Sequence, residues 1–143
     1  MIREVLLSDA RALNEMNEFS LGYSSDLALT KRLLSKVIEH PDHMVLVFDL
    51  DKQVVGYIHA ERYLSLYEEE LYNLLGLAVK QGYQGQGIGR KLLKAVETYV
   101  KEQGVSGIRL NSGSQREEAH RFYESMGYNG NKLQKRFIKW FKE

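Results

Sequence analysis

The stretch Gln84-Gly85-Gln86-Gly87-Ile88-Gly89-Arg90 decides the fold of this chain. It lies between a strand-like apolar run, Leu74 to Val79, and a helix-like run, Lys91 to Val96. Three glycines at alternate positions therefore form a turn that opens a helix. The first backbone N–H groups of a helix have no partner within it, and they carry the positive end of its dipole. The sequence predicts an anion-binding cradle here, and the commonest ligand of such a cradle is phosphate.

Two well-known phosphate loops do not fit this stretch. A dinucleotide fingerprint needs G-x-G-x-x-G, whereas the three glycines here give G-x-G-x-G. A P-loop needs a glycine followed by Lys and then Ser or Thr, whereas Gly89 is followed by Arg90. The spacing that fits is Q-x-x-G-x-G, with Gln84, Gly87 and Gly89 in the fixed positions. The alternative is a glycine-rich turn without a ligand.

Composition limits the class of protein. The chain has 143 residues, which predicts one domain spanning residues 1–143 with a core that needs no disulfides or metals to be stable. It has no cysteine, which excludes disulfides, thiolate nucleophiles and Cys-based zinc sites. The net charge of +1 argues against nucleic acid as a partner, and no apolar run approaches the roughly 20 residues that span a bilayer. Because the N-terminus lacks a signal-peptide pattern, we expect a cytoplasmic protein with no membrane partner.

The periodicity of apolar residues predicts ten elements in the order β-α-α-β-β-β-α-β-α-β. Ser8 is expected to cap the first helix, a bulge is expected near Gly76, and Ser114 to Glu117 has the capping-box pattern that starts the last helix. The predicted strands are Ile2–Leu7, Met44–Phe48, Val54–Arg62, Glu70–Val79, Gly107–Asn111 and a last strand or strands at Tyr128 and Phe137–Phe141; the predicted helices are Asp9–Phe19, Asp26–Glu39, Gly87–Gln103 and one ending at Gly127.

A second motif, A-x-x-F-Y-E-x-x-G-[FY], covers Ala119 to Tyr128. Together with Q-x-x-G-x-G, it resembles the signatures of the GCN5-related N-acetyltransferase (GNAT) family. The resemblance covers nearly the whole chain. It implies an α/β (α+β) fold, in which helices flank a mixed, mostly antiparallel central sheet.

The resemblance also implies an acyltransferase with acetyl-CoA as co-substrate and an amine as acceptor. Tyr123 matches the family tyrosine that protonates the departing thiolate of CoA, although packing beside Phe122 is an alternative. Backbone groups of Leu77 and Val79 would pair with the pantetheine arm. The loop would hold the pyrophosphate through Gln84, Gly85, Gln86, Gly87, Ile88, Gly89 and Arg90, and a homodimer is common among such proteins.

Two positions depart from the family pattern. Many relatives carry Asn where Arg116 stands, so Asn111 is an expectation for that CoA contact and not a match. Many carry Glu where Gly76 stands, so the usual general base is missing. The candidates that remain are Glu70, which alternation places on the nominal face of Gly76 unless a bulge intervenes, and His59, whose ordinary pKa suits a base. A water chain or a base brought by the substrate is the alternative.

Other clusters carry weaker hypotheses. His40, Asp42 and His43 surround Pro41, but a solvated turn explains them better than a metal site, and we expect no metal. The acidic run Glu68–Glu70 would attract an amine if it lies near the acceptor. Four tyrosines are candidates to line an acceptor pocket: Tyr23, Tyr63, Tyr67 and Tyr72.

These observations predict an N-acetyltransferase that moves acetyl directly from acetyl-CoA to the primary amine of a small molecule. The Ala-His-Arg-Phe-Tyr run looks most like relatives that acetylate aminoalkylphosphonates and aminoglycosides. Two alternatives remain open, which are a protein or peptide N-acetyltransferase and a non-catalytic CoA-binding sensor or interaction module. The missing carboxylate at Gly76 favours the sensor.

Overall fold

The computed structural model describes residues 1–142 and forms two compact units, Met1–Asn111 and the part of the chain from Ser112 onward. The first unit begins with β1 (Ile2–Glu4) and a 3-10 turn at Leu7–Asp9. It continues with α1 (Ala10–Phe19), α2 (Leu27–Glu39), β2 (His43–Leu50), β3 (Gln53–Tyr63), β4 (Leu71–Val79), α3 (Ile88–Glu102) and β5 (Gly107–Leu110). The second unit contains α4 (Glu117–Ser125).

The five strands form one sheet in the order β1-β2-β3-β4-β5. The first three pairings are antiparallel, and only β4 and β5 run parallel. Helices α1 and α2 cover one face, where Leu13, Met16 and Leu34 form a core with Val47 and Tyr57. The predicted fold class, helices around a mixed and mostly antiparallel sheet, is confirmed.

Helix α3 covers the opposite face of the sheet. Its buried residues Ile88, Leu92, Leu93, Val96 and Val100 recur at helical spacing on one side. Gly56 of β3 allows the helix to approach closely, because a Cβ atom there would lie 2.9 Å from Ile88 Cγ2 and 3.1 Å from Leu92 Cδ1. The helix that follows the glycine loop is therefore held against the centre of the sheet.

The start of α1 differs from the prediction, because Ser8 does not cap it. A 3-10 turn over Leu7–Asp9 comes first, and Asp9 accepts the N–H of Leu6 at 2.7 Å. The same carboxylate pairs with Arg3 of β1 at 2.9 Å, and this guanidinium holds the Asp9 pKa below its ordinary value against the opposing effect of burial. The acid joins β1 to the first helix, so the helix begins at Ala10.

The bulge predicted near Gly76 is confirmed, and it lies at Leu75. His59 of β3 pairs with Gly76 and the next residue, Ala60, pairs with Leu74, so Leu75 is the extra residue of β4. Because side chains alternate along a strand, an extra residue reverses which face the earlier part of β4 presents. Asn73 therefore shares the α1–α2 face with Gly76, whereas Tyr72 faces α3 and contacts the ring of Tyr99.

In the second unit, α4 is confirmed but its predicted capping box is wrong. Ser114 donates its hydroxyl to Gln115 Oε1 at 3.2 Å, and the helix begins at Glu117 after Arg116 without a side-chain cap among residues 1–142. The final strand of the predicted order is also not formed, since residues 126–142 contain neither strand nor helix. Apolar side chains at 137–141 favour a strand, but a strand forms only by pairing, and the five strands of the sheet pair only with one another among residues 1–142.

Candidate active site

Three glycines shape the loop between β4 and α3. Gly82, Gly85 and Gly87 have φ values of +90°, +80° and +82°, a backbone conformation that L residues avoid. A Cβ atom at any of them would meet no atom within 4 Å. Residues 84–87 are exposed, so the loop presents bare backbone to the solvent.

The N-terminus of α3 is free to bind an anion. Lys91 donates the first helical N–H, to Gly87 O at 3.0 Å, so the N–H groups of residues 88–90 have no partner within the helix. Gly87 is the N-cap residue; among residues 1–142 no side chain caps this end, and its first turn contains no acid. The predicted cradle therefore has donors that point out of the helix with no competing carboxylate.

Gln84 fixes the loop to the end of β4. Its side-chain amide donates to Val79 O at 3.1 Å, and the hydroxyl of Ser20 donates to the same carbonyl at 2.9 Å. Both lone pairs of this oxygen are therefore used within the protein. Of the two backbone groups of Val79, only the N–H therefore remains for the predicted pairing with a pantetheine arm.

β4 and β5 separate at the bulge. Their pairing runs from Leu71 opposite Gly107 to Leu74 opposite Leu110 and goes no further among residues 1–142. Since Lys80 donates its N–H to Val55 O of β3 at 2.8 Å, alternation turns the backbone groups of Leu77 and Val79 away from β3. An unpaired strand edge thus leads directly to the glycine loop, and Asn111 follows the last paired residue of β5.

A tyrosine occupies the space beside Gly76. A Cβ atom on Gly76 would lie 3.1 Å from the Tyr57 hydroxyl, which donates a short hydrogen bond to Asn17 Oδ1 of α1. Burial, aided by nearby Tyr23, raises the Tyr57 pKa to about 12. The side chain in the space where a carboxylate was expected is therefore a neutral hydroxyl from the neighbouring strand, and at neutral pH it can donate a proton but not act as a base.

His59 is directly opposite Gly76 and belongs to a pair of histidines. Its Nε2 is 2.9 Å from His43 Nδ1 of β2, and His43 Nε2 is 3.8 Å from Glu61 Oε1. Burial, with a smaller effect from His43, lowers the His59 pKa to about 4, so the ring is neutral at pH 7. In such a pair one nitrogen donates and the other accepts, which permits a proton to pass between the rings.

The polar network continues across the sheet to β5. Asn73 donates to Glu61 Oε2 at 2.9 Å, and Arg109 donates to Asn73 Oδ1 at 2.6 Å and to Asn111 Oδ1 at 3.1 Å. Alternation along β3 places Tyr57, His59 and Glu61 on one face, but the sequence did not indicate His43, Asn73 or Arg109 as their neighbours. Only the register of β2, β4 and β5 brings them together.

Glu70 lies elsewhere. Arg62 donates to its carboxylate and forms a salt bridge at 2.6 Å. Alternation would have placed Glu70 on the face of Gly76 only without a bulge, and the bulge at Leu75 lies between the two residues. A catalytic role for Glu70 stays a prediction. In that role the carboxylate would have to act while it is paired with Arg62.

Tyr123 lies on α4 in the second unit. Its ring contacts those of Phe122 and Tyr128, with centroids 5.2 and 5.9 Å apart. Burial raises the Tyr123 pKa, while nearby Arg116 acts in the opposite direction. The phenol is therefore protonated at neutral pH and can give up a proton to a stronger base.

The described residues contain neither a cluster of metal ligands nor a membrane-spanning helix. Within residues 1–142, no three His, Asp or Glu side chains converge on a point where a metal ion would fit. His40 and His43 contact edge to face at 4.7 Å, and the Asp42 N–H donates to His40 Nδ1. In the same part of the chain no helix has the length and apolar content to cross a bilayer.

The fold and the uncapped loop define the class of protein, and comparison with known sequences agrees. Residues 10–128 match the model of the acetyltransferase (GNAT) family, so the chain belongs to that family. An uncharacterized N-acetyltransferase of Chlorobaculum tepidum is 31% identical over 130 residues, which is 89% of this chain and 74% of that protein. An uncharacterized N-acetyltransferase of Bacillus subtilis is 37% identical over 62 residues, 43% of this chain and 34% of that one.

Solved structures show the same fold. A transcriptional regulator from Bacillus halodurans superposes with a TM-score of 0.87 at 22% identity, covering 97% of this chain and 99% of the other. An aminoglycoside 6'-N-acetyltransferase from Acinetobacter haemolyticus gives 0.84 at 14% identity, covering 99% of both chains. Glucosamine-6-phosphate N-acetyltransferase from Arabidopsis thaliana gives 0.82 at 17% identity over 99% and 98%. The chain is an acyltransferase of this family.

Proposed function

We propose that this protein transfers an acetyl group from acetyl-CoA to the primary amine of a small molecule by direct attack, in the cytoplasm. The observation that carries the proposal is the uncapped N-terminus of α3, reached along the unpaired edge of β4. The exposed left-handed glycines leave room for a diphosphate against the backbone. Acetyl-CoA supplies the activated thioester, and the residues present fit its binding.

Backbone groups bind and orient the donor. The N–H groups of residues 88–90 face the diphosphate, with Arg90 or Lys91 near an outer phosphate and Asn111 beside the open end of β5. Leu77 offers its N–H and C=O to the pantetheine arm as a neighbouring strand would. A backbone N–H of the same edge donates to the thioester oxygen and stabilises the negative charge that develops there. Holding amine and thioester together supplies much of the rate.

Protons move at two side chains. Tyr123 donates its phenolic proton to the departing sulfur. His59 takes the proton that the amine loses on attack through a water molecule, because His59 is opposite Gly76 and neutral while the Tyr57 side chain fills the space beside Gly76. The low pKa makes His59 a weak base, so it serves amines that reach the site already deprotonated. The contact with His43 gives the proton a path onward to the second ring.

Measuring the free CoA thiol released by the reaction distinguishes the candidate functions. The chain has no cysteine, so a thiol reagent reports released CoA without background from the protein. We expect saturable release with one class of small amine from a panel of aminoglycosides, amino sugar phosphates and aminoalkylphosphonates. Release with peptides alone would make the protein a peptide N-acetyltransferase.

A non-catalytic CoA sensor is the second candidate. It is favoured by the tyrosine that fills the space beside Gly76, because no carboxylate is available there. Calorimetry with CoA decides between the candidates when combined with the panel. Saturable binding with no release on any amine indicates the sensor, and absence of CoA binding overturns both.

A further inference from the structure

One arginine on the side of the sheet that carries His59 has no acid as a partner. Arg109 of β5 is half-buried, and it donates to Asn73 Oδ1 at 2.6 Å and to Asn111 Oδ1 at 3.1 Å. Both acceptors are neutral amide oxygens, and among residues 1–142 no carboxylate forms a salt bridge with this guanidinium. A charge that is partly removed from water costs free energy unless an opposite charge compensates it. The positive charge of Arg109 is therefore available to a ligand.

The guanidinium of Arg109 is held in a fixed plane. Its central carbon, Cζ, lies 4.7 Å from the centroid of the Tyr63 ring, a distance at which a cation stacks on an aromatic face. Stacking fixes the plane of the group but leaves the N–H groups at its edge free. Arginine has five N–H donors, and only two of those of Arg109 have a partner among residues 1–142. The remaining donors suit an oxyanion, which can accept two parallel N–H groups of an arginine.

The acid that this network reaches, Glu61, is engaged elsewhere. Its Oε2 accepts from Asn73 at 2.9 Å, and its Oε1 is 3.8 Å from His43 Nε2. The amide of Asn73 stands between Glu61 and Arg109, since its nitrogen donates to the carboxylate and its oxygen accepts from the guanidinium. An acid group brought by a ligand would therefore meet the guanidinium directly, with the Glu61 carboxylate held away by one amide.

Arg109 lies close to the groups that the proposed reaction uses. It pairs with Asn73 across the sheet, and the pairing of β4 with β5 ends one residue later, at Leu74 and Leu110. Asn73 precedes Gly76 by three residues on β4, and both share the face covered by α1 and α2. Since a strand rises about 3.3 Å per residue, the two residues are at most roughly 10 Å apart. A small acceptor whose amine lies beside Gly76 therefore reaches Arg109 with a group a few bonds away.

We propose that Arg109 binds an acid group of the acceptor, so that the substrate is a small amine with a carboxylate, phosphonate or phosphate a few bonds from its nitrogen. This inference rests on the proposed function and narrows it. The three acids share one chemistry, an oxyanion that accepts hydrogen bonds from the guanidinium fork. Aminoglycosides, which carry several amines and no acid, would be repelled by the same charge. Arg109 then determines specificity and takes no part in proton transfer.

Kinetics with matched amines test the proposal. The comparisons are 2-aminoethylphosphonate and β-alanine against propylamine, and glucosamine 6-phosphate against glucosamine, with release of CoA as the measure. We expect kcat/KM for the acid-bearing amine of at least one comparison to be about 10- to 100-fold higher, the contribution of a charged hydrogen bond. The largest ratio identifies the acid. Arg109→Gln should abolish that ratio by raising KM for the acid-bearing amine, and Arg109→Lys should restore part of it, because lysine keeps the charge but not the fork.

Arg62→Gln is the matched control. Arg62 of β3 pairs with Tyr72, next to Asn73, but its charge is already compensated by Glu70 at 2.6 Å, so its loss should leave the ratio and the KM for acetyl-CoA unchanged. Circular dichroism checks that each variant is folded. Equal kcat/KM within every comparison in the wild type would overturn the proposal while acetyl transfer stands. An Arg109→Gln variant whose KM rises for acetyl-CoA and not for the amine would also overturn it, because the arginine would then belong to the donor site.

A binding measurement distinguishes failure of this proposal from failure of the proposed function. The Nε–H signal of Arg109 in ¹⁵N-labelled protein is assigned by its absence in Arg109→Lys and is titrated with ethylphosphonate and with propionate, which are acids without an amine. We expect a saturable shift of this signal with at least one acid, retained in Arg62→Gln. If no amine releases CoA and the signal still shifts, the proposed function fails and the anion site at Arg109 remains. If neither acid shifts the signal, the proposal is wrong whether or not acetyl is transferred.

Discussion

At the scale of single residues, the proposed role of Tyr123 as a proton donor can be tested most directly. Removing its hydroxyl removes a proton donor but keeps the ring contacts with Phe122 and Tyr128. We expect Tyr123→Phe to lower kcat by roughly 10²- to 10⁴-fold, the usual contribution of a positioned acid, with little change in KM for acetyl-CoA. Steady-state kinetics measure this, and Tyr99→Phe on α3 is the control. An unchanged kcat with chemistry rate-limiting would remove Tyr123 from the mechanism.

His59 gives the protein a sensitivity to acid that can be measured without a substrate. Its folded-state pKa of about 4 lies below the ordinary 6.5, so between these values the unfolded chain binds more protons than the folded one. The contribution of neutral His59 to stability is therefore complete above pH 6.5 and is lost as the pH falls toward 4. The full difference is up to roughly 3 kcal/mol.

Urea unfolding of His59→Gln at pH 7.0, 5.5 and 4.5 checks this sign. The free energy of unfolding of the variant should fall less between pH 7.0 and 4.5 than that of the wild type. The range from pH 7.0 to 4.5 lies above the titration of Asp9, whose pKa is held below its ordinary value of 3.8. The groups that act on His59 are His43 and Glu61, and exposed His40→Gln serves as the control. Equal losses in wild type and His59→Gln would show that this ring is not the sensor.

At the scale of elements, the contact between β3 and β4 at Gly76 predicts a coupled pair of mutations. Gly76→Ala places a Cβ atom 3.1 Å from the Tyr57 hydroxyl and should cost about 1–3 kcal/mol of stability. Tyr57→Phe removes that hydroxyl but leaves Asn17 Oδ1 without its donor, which also costs about 1–3 kcal/mol. Because the loss of the hydroxyl relieves the clash with the new Cβ atom, the double variant should lose less than the sum by about 0.5–3 kcal/mol.

Chemical denaturation of the two single variants and the double variant measures the coupling. Gly107→Ala on β5 is the control, because its Cβ would meet Leu71 at an ordinary 3.4 Å and should change stability little. Strict additivity would mean that Tyr57 moves freely out of the space beside Gly76. A carboxylate could then be accommodated at this position, contrary to the packing that the structure shows.

Helix α3 has a left-handed glycine at each end, and the two ends predict different effects. Gly87 at its start and Gly104 after its end have φ of +82° and +72°, and a Cβ atom at either would have no neighbouring atom within 4 Å. Alanine at either position should cost a similar 1–2 kcal/mol of stability, roughly the penalty of the left-handed conformation. Only Gly87→Ala should weaken CoA binding, by about 10- to 100-fold, because a Cβ atom on this exposed loop, or the change of φ that it favours, would displace the diphosphate from the N–H groups of residues 88–90. Titration calorimetry compares the two, and equal affinities would refute the cradle.

At the scale of the whole molecule, local patterns were enough to predict the loop, the helix after it and the fold class, because glycine conformation and helical spacing are set by neighbours in sequence. The prediction for the α3 helix was Gly87–Gln103, and the structure has Ile88–Glu102. Register was not predictable in this way. One bulged residue broke the alternation that would have linked Glu70 to Gly76, and only strand pairing brought His43 to His59.

Residues 129–142 show the same limit from the opposite side. Their apolar residues predicted a strand, but a strand forms only by pairing with another strand, and residues 129–142 pair with none of the five strands. Sequence therefore indicated that these residues suit a strand but not whether they form one. The stability of the folded chain should also depend on the concentration of CoA, and this dependence tests the site as a whole.

Thermal unfolding with CoA measures the ligand dependence at a fixed chain concentration. A ligand that binds only the folded state stabilises it by about 2.7 kcal/mol when present at 100 times its Kd. The Tm of the wild type and of Gly104→Ala should rise accordingly, by several degrees, whereas Gly87→Ala at the same CoA concentration should gain about 1.4 kcal/mol or less. An equal gain with CoA in Gly87→Ala and wild type would place CoA binding away from the start of α3, and the proposed catalytic site would then have no donor.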